Sequence, residues 1–281
     1  MEISTVTQRL CDANCHAVDI AYQATPLCQT YLPRQEPDSR TWTRRNGAAI
    51  LEIEAGRMAD PTTGEFTTLP LPYGTHARIV LIYIITEAIK HQTKIINLSR
   101  SHNKFANKIY GYRNGKRTTE LRKQMIALGK ATIRIAVPTI NGHEEHELKL
   151  ARNFDIHHAR GRAIWPGSIT LTEDYYNLIQ QRAVPINYNH IAALRHNAFA
   201  MDMYCWIVHK TATIQRPTTI TWQSLAQQFC PEYGIKDARR QLRRTLGEVV
   251  PLLNVTVREV ENGTQPHGLS ISPGGQPIAR Q

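Results

Sequence analysis

Five cations, Lys236, Arg239, Arg240, Arg243 and Arg244, crowd one short stretch of the chain. Placed on a helix at about 100° per residue, they spread over about 140° of one side. Guanidinium forks match phosphate oxygens and the major-groove edge of guanine, so the chemistry offered is recognition of nucleic acid rather than bond making. The opposite side, an arc of about 80°, holds Ala238, Val249, Leu242, Ile235 and Leu246. Asp237 and Glu248 sit at one margin. Taken alone, such a helix is equally a solvated face, and the elements around it decide between the two.

Downstream of Pro251, Leu253, Val255 and Val257 alternate with Asn254, Thr256 and Arg258, a strand pattern with Glu259 in the apolar register. Glu261-Asn262-Gly263 begins a turn, and Leu269-Ser270-Ile271 returns as a second strand. Upstream, TWQSLAQQF forms a short helix over Thr221 to Phe229, with Thr221 as N-cap. Before it, His196 to Thr211 reads as an apolar helix containing Phe199, Met203, Trp206 and Ile207. This order is that of a winged helix-turn-helix, in which the helix from Ile235 would enter the major groove. Lys236, Arg239, Arg240 and Arg243 are therefore the expected base contacts, and Arg244 an expected backbone contact.

The same order occurs earlier. A helix over His76 to Lys90, with the apolar run Ile79 to Ile85, precedes a short strand at Lys94 to Leu98. Ser101 to Tyr110 forms a helix with Phe105 and Ile109 inward. GYRNG makes a turn, and Thr118 to Leu128 is a second helix capped by Thr118 or Thr119. Ala131 to Val137 and Glu147 to Ile156 flank a hairpin turn at Asn141-Gly142. Lys116, Arg117, Arg122 and Lys123 cluster at the start and on the exposed side of that second helix, and Arg113 and Lys130 add to them. These six are expected to grip phosphates. The apolar run and the first hairpin are candidates for a dimer surface.

The expected fold class is α+β: an N-terminal extension (1–68), two tandem winged-helix domains (69–160 and 161–273) and a flexible tail (274–281). The net charge is +11 and unevenly placed. Residues 90–137 hold 12 Lys and Arg against Glu120 alone. Segregation of this kind favours a polyanionic partner over general solubility, and nucleic acid over anionic lipid.

Several function classes are disfavoured. No Walker-type phosphate loop occurs, since GYRNGKR at Gly111 to Arg117 lacks its spacing, so no ATP-driven motor is expected. A nickase of the two-histidine type needs paired metal ligands and a nucleophilic tyrosine. His157 and His158 are adjacent and point to opposite faces of a strand. His143, Glu144, Glu145 and His146 read as a solvated wing tip, and Tyr110 and Tyr112 as packing or backbone contacts. Cys11, Cys15, His16 and Cys28 are too loosely spaced for a zinc site, and the odd cysteine count fits reduced thiols. No catalysis, metal or cofactor is expected. Neither a signal peptide nor a bilayer-spanning segment is evident, so a bacterial cytoplasmic location is expected.

Five stretches carry a resemblance to a known family: LPYGTHARIVLIYIITEAIK (Leu71 to Lys90), KRTTELRKQM (Lys116 to Met125), ITLTEDYYNLI (Ile169 to Ile179), PINYNHIAALRHNAFAMDMYCWI (Pro185 to Ile207), and ITWQSLAQQF with DARRQLRRTL (Ile220 to Leu246). In order and spacing they resemble the RepA-type plasmid replication initiators over residues 69–272. The resemblance implies binding to repeated origin sequences (iterons) in double-stranded DNA, opening of an adjacent A+T-rich segment, and recruitment of the host initiator and helicase. It also implies repression of its own gene by a dimer, with monomer and homodimer exchanging. A winged-helix transcriptional regulator with no replication role is the alternative.

Overall fold

In the computed structural model, the alternation of AILEIE is realised as strand β2 (Ala49–Glu54), paired antiparallel with β1 (Thr41–Asn46). Leu51 and Ile53 are buried, while Glu52 and Glu54 face the other way. The structure describes residues 19–47, 49–60, 63–98, 104–106, 109, 115–139, 142–153, 158–159, 162–163, 167–262 and 265–274. The chain forms two units, residues 22–183 and residues 184–281 with 1–21. Both combine helices with antiparallel strands, an α+β fold.

In the 22–183 unit, a small hairpin of β3 (Arg57–Ala59) and β4 (Phe66–Thr68) leads to helix α1 (Gly74–Lys90). Every residue from Ile79 to Ile85 is buried in the chain, so that run is core rather than a dimer surface. Arg78 in α1 is buried too. Its guanidinium donates to the carbonyls of Leu32 (2.7 Å), Pro33 (3.1 Å) and Gly74 (2.8 Å), a set of acceptors that a buried cation requires. Strand β5 (Ile95–Asn97) follows, then helix α2 (Gly115–Lys130). Buried Gln124 of α2 accepts from the Tyr73 backbone N–H at 2.8 Å, joining the entry of α1 to α2.

Strands β6 (Thr132–Thr139) and β7 (Gly142–Lys149) complete a four-stranded sheet of order β1-β2-β6-β7. The stretch 41–54 is thus part of this unit's sheet rather than of a separate extension. His143 to His146 lie in the first part of β7, beside the hairpin turn, paired with β6 from Pro138 to Ile135. Strand β8 (Ala151–Asn153) pairs with β9 (Ser168–Leu171), and β9 also pairs with β5. Helix α3 (Glu173–Arg182) follows, capped by Thr172. Because β9 lies between β5 and β8, the division between units falls at 183/184 and not at the expected 160/161.

The other unit contains α4 (Tyr188–Leu194), α5 (Ala198–Thr213), β10 (Thr218–Thr221), α6 (Trp222–Phe229), α7 (Ile235–Val249), β11 (Val257–Asn262) and β12 (Gln265–Ile271). Its strands form a sheet of order β10-β12-β11. The first of the two C-terminal strands begins at Val257. Leu253 and Val255, expected within it, precede it, since the 3-10 turn Val250–Leu252 extends the helical rotation beyond α7. Gly268 of β12 faces Thr221, and a Cβ there would overlap the Ile220 carbonyl. Phe199, Trp206 and Phe229 pack ring to ring in the core.

A polar knot lies inside this unit. His190 reaches Asn187 Nδ2 through Nε2 and the Tyr204 hydroxyl through Nδ1, each at 3.1 Å. Asn187 Oδ1 accepts from the Asn189 N–H, which fixes its amide as donor toward Nε2. Nε2 must therefore carry a lone pair, and a proton there would face another donor. Burial pushes the His190 pKa down to about 4. His76 and His209 are lowered by burial in the same direction. For such groups the unfolded chain binds protons more readily, so stability is complete above about pH 6.5 and falls as pH drops toward 4. His190 alone should remove about 3 kcal/mol across that window. Thermal melts between pH 7.5 and 4.5, with an NMR titration of the His190 ring, test this. A ring that protonates near pH 6.5 would contradict it.

Candidate nucleic-acid interface

Helices α6 and α7 are joined by a short turn in which the Tyr233 N–H donates to the Cys230 carbonyl at 3.0 Å. The turn residues 231–234 are exposed. Thr221 caps α6 through the Ser224 N–H, as its position in the sequence requires. Asn187 and Asn197 cap α4 and α5. Gly234, at the N-cap of α7, offers no side chain, so the first-turn N–H groups of α7 have no side-chain cap. Ala238, Leu242, Leu246 and Val249 are buried as their spacing demands. Ile235 is not: it is 42% exposed, because it occupies the first helical position, beyond the packed part of the stripe.

The five cations emerge on the opposite face. The Arg240 side chain is 80% exposed and lies 2.8 Å from Asp237. Lys236 and Arg244 are exposed. Arg239 is half-buried, with its guanidinium 5.9 Å from the centre of the Trp222 ring and its Nε without a hydrogen-bond partner. Arg243 behaves differently. Its Nε and Nη2 donate to both oxygens of Glu259, each at 2.7 Å, and it too lies over Trp222, at 5.4 Å. The Glu259 hydrogen bonds hold the Arg243 pKa above its ordinary value. Arg243, expected among the base contacts, is thereby tied to strand β11 and acts as a strut between helix and hairpin. Sequence pattern alone does not mark Trp222, and the one signal at Glu259 is a charge on the apolar register of its strand.

The charge order along α7 is mixed: Asp237 in the first turn suits the helix dipole, and the other placements run against it. Lys236 and Arg239 lie near the positive end of the helix dipole, no cation lies in the last turn, and Glu248 lies near the negative end. Glu248 is held there by Asn197 Nδ2 (3.2 Å) and His196 Nε2 (3.3 Å). Each such placement costs about 0.3–1 kcal/mol at most. A bound polyanion at the N-terminal half would reverse the sign.

In the 22–183 unit, Lys116 and Arg117 are exposed in the first turn of α2, which holds no acid. Lys123 is exposed and pairs with Glu120 at 3.1 Å. Arg122 and Lys130 are half-buried, Lys130 against Gly56, where a Cβ would overlap its carbonyl. The helix starts at Gly115, so Thr118 and Thr119 are not its caps: Thr118 is buried and Thr119 donates to the Gly115 carbonyl at 3.0 Å. Arg134 is neutralised on the sheet face by Glu147 (2.8 Å), Glu52 (3.0 Å) and Glu54 (3.0 Å). Arg113, Tyr110, Tyr112, His157, Cys11, Cys15 and His16 lie outside the described residues. Among the described residues no cluster of His, Cys, Asp and Glu is placed to hold a metal ion. No described helix is long and apolar enough to cross a membrane.

Residues 71–224 match the family described as plasmid encoded RepA protein. The chain belongs to that family. Membership agrees with the motifs quoted above and makes this a plasmid replication protein. The RepA match spans α1 to the start of α6 and ends before α7. The motif residues Arg78 and Gln124 lie inside it, and both are buried polar connectors rather than surface contacts. Among solved structures, the fold is similar to domains 2 and 3 of RctB: one such structure aligns at 10% identity and a TM-score of 0.56, covering 91% of this chain and 99% of that one. A second RctB structure of domains 2–3 aligns at 10% identity and 0.54, covering 89% and 96%. No curated protein sequence is similar to the chain.

The Arg243–Glu259 strut makes a quantitative expectation. In a double-mutant cycle of Arg243→Ala and Glu259→Ala, read by urea unfolding, the coupling should be about 0.5–1 kcal/mol, since both side chains are partly exposed. Strictly additive losses would show that the two are not energetically tied.

Proposed function

We propose that this RepA-family protein initiates plasmid replication by binding direct repeats in duplex origin DNA. In this reading the segment 198–271 is a winged helix. Helices α6 and α7 form the helix-turn-helix, β11 and β12 form the wing, and α7 lies in the major groove. The carrying observation is the outward cationic face of α7, which begins at a helix start with no side-chain cap, where N–H groups and guanidinium forks together favour phosphate. Lys236, Arg239 and Arg240 contact base edges, while Arg243 positions the helix against the wing and Arg244 meets the backbone.

In the 22–183 unit the elements α1, β5, α2 and the β6-β7 hairpin run helix, strand, helix, hairpin, with the hairpin paired to β2 rather than to β5. This unit supplies phosphate contacts from Lys116, Arg117, Arg122, Lys123 and Lys130, with Arg113, which precedes them in the sequence. Origin opening, recruitment of the host initiator and helicase, and repression of its own gene by a dimer follow for a member of this family. The reaction is non-covalent, with no catalytic residue and no cofactor, and it takes place in the bacterial cytoplasm.

A footprint of the purified protein on DNA flanking its own gene tests this. Evenly spaced direct repeats protected in one phase are the expected result. One protected palindrome would indicate a transcriptional regulator instead, and a covalent protein–DNA adduct a nickase. On the protected repeat, Arg240→Ala should cost about 1–3 kcal/mol and relax sequence preference. Arg244→Ala should lower the salt dependence of binding by about 0.9 in slope without altering preference. An Arg240→Ala protein with unchanged affinity and preference would remove α7 from the major groove.

A further inference from the structure

The entry to α7 carries two large apolar side chains in water, Tyr233 at 58% exposure and Ile235 at 42%. The other prominent exposed hydrophobics among the described residues, Phe66 and Ile95, are far away in sequence and lie in the other unit. Local structure does not account for Ile235. A β-branched side chain brings no helix-forming advantage over a polar residue at this first position, and it makes no use of the buried stripe that Ala238 and Leu242 occupy. Instead Ile235 lines a shallow surface depression together with Lys236, Arg239, Arg240 and Arg243. An apolar side chain is thus held among cations that would themselves draw a polyanion to it.

Duplex DNA offers an apolar group in the major groove, the C5-methyl of thymine. The first residues of a helix entering that groove are the ones that come nearest the base edges. Resting on the major-groove reading of α7, we propose that Ile235 is a specificity-determining residue that packs against a thymine methyl within each repeat, with Tyr233 as its apolar neighbour in the turn. The surrounding cations supply affinity that is nearly blind to sequence, and Ile235 supplies a preference for thymine at one position. The nearest carboxylates in the sequence are Glu232 in the turn and Asp237 in α7, and Asp237 is paired with Arg240.

Deoxyuracil isolates the methyl, because it keeps the pairing and hydrogen-bond pattern of thymine and lacks only that group. The probe is the duplex repeat defined by footprinting, with each thymine replaced in turn by deoxyuracil. Wild-type protein should lose about four-fold in affinity at one position and little elsewhere. Ile235→Ala should bind the thymine duplex about as weakly and no longer distinguish thymine from deoxyuracil there. Its melting temperature should match wild type, since the side chain is exposed. Protection of repeats with no sensitivity to any methyl, or an Ile235→Ala protein that keeps the sensitivity, overturns this proposal and leaves the DNA-binding reading standing. A protein that protects no DNA overturns the reading beneath it and, with it, this proposal. A partner protein seated on Tyr233 and Ile235 would appear as the first of these results.

Discussion

Burial of Ala238, Leu242, Leu246 and Val249 fixes the rotation of α7 about its own axis. A helix has one apolar stripe, and once that stripe is packed the remaining side chains have no choice of direction. Everything proposed for α7 depends on this constraint. The cations face outward because four apolar side chains face inward; Arg239, at the edge of the outward face nearest the core, is half-buried beside Trp222, and Arg243, one turn further on, meets Trp222 and Glu259. The bidentate bond to Glu259 then links the angle of the C-terminal hairpin to that of the helix. Helix rotation and hairpin position are set by the same packing.

The 22–183 unit relies on buried polar groups for comparable precision. Arg78 holds the chain at Leu32 and Pro33 against the start of α1, and Gln124 holds Tyr73 against α2. Both residues belong to motifs that mark the family, and neither is a surface contact. A charged side chain with several oriented donors is intolerant of displacement, because losing one acceptor leaves a buried donor unmet. The motifs that identify the family therefore report its architecture. The cationic face of α7 lies beyond the matched region.

Legibility in the sequence followed the range of the interaction involved. Helices α1, α5, α6 and α7 were readable because a 3.6-residue period and an N-cap such as Thr221 are local signals. The buried stripe of α7 was readable for the same reason, except at Ile235, where periodicity gives a direction but not the extent of the covering core. Pairings across many residues were not readable. Insertion of β9 between β5 and β8 moved the boundary between units, and the pairing of β2 with β6 drew residues 49–54 into a sheet more than 80 residues away in sequence, as the Glu52 to Arg134 bond displays. At the candidate site, the cations were readable by type and spacing. Their division of labour was not, because it turns on Glu259 of β11, which holds Arg243, and on the half-burial of Arg239, neither of which the period of the helix displays.

That division decides how the charge of the protein should be read. A net charge of +11 suggests a broadly basic surface, yet individual cations have different local fates. Arg134 is neutralised by three carboxylates, Arg243 by one held in two bonds, and Arg78 is enclosed by backbone carbonyls. Lys236, Lys116 and Arg117 are exposed in the first turns of α7 and α2, near the ends where the helix dipole is positive, and Arg240, paired with Asp237, is exposed in the second turn of α7. Selection for stability alone would place them at the opposite ends, as it does Lys130 in the last turn of α2. Concentrating exposed cations at two helix N-termini lowers stability by a small amount and creates fields directed outward. A ligand with regularly spaced phosphates reverses that penalty at every contact, and this is the physical reason to look for DNA at both helices.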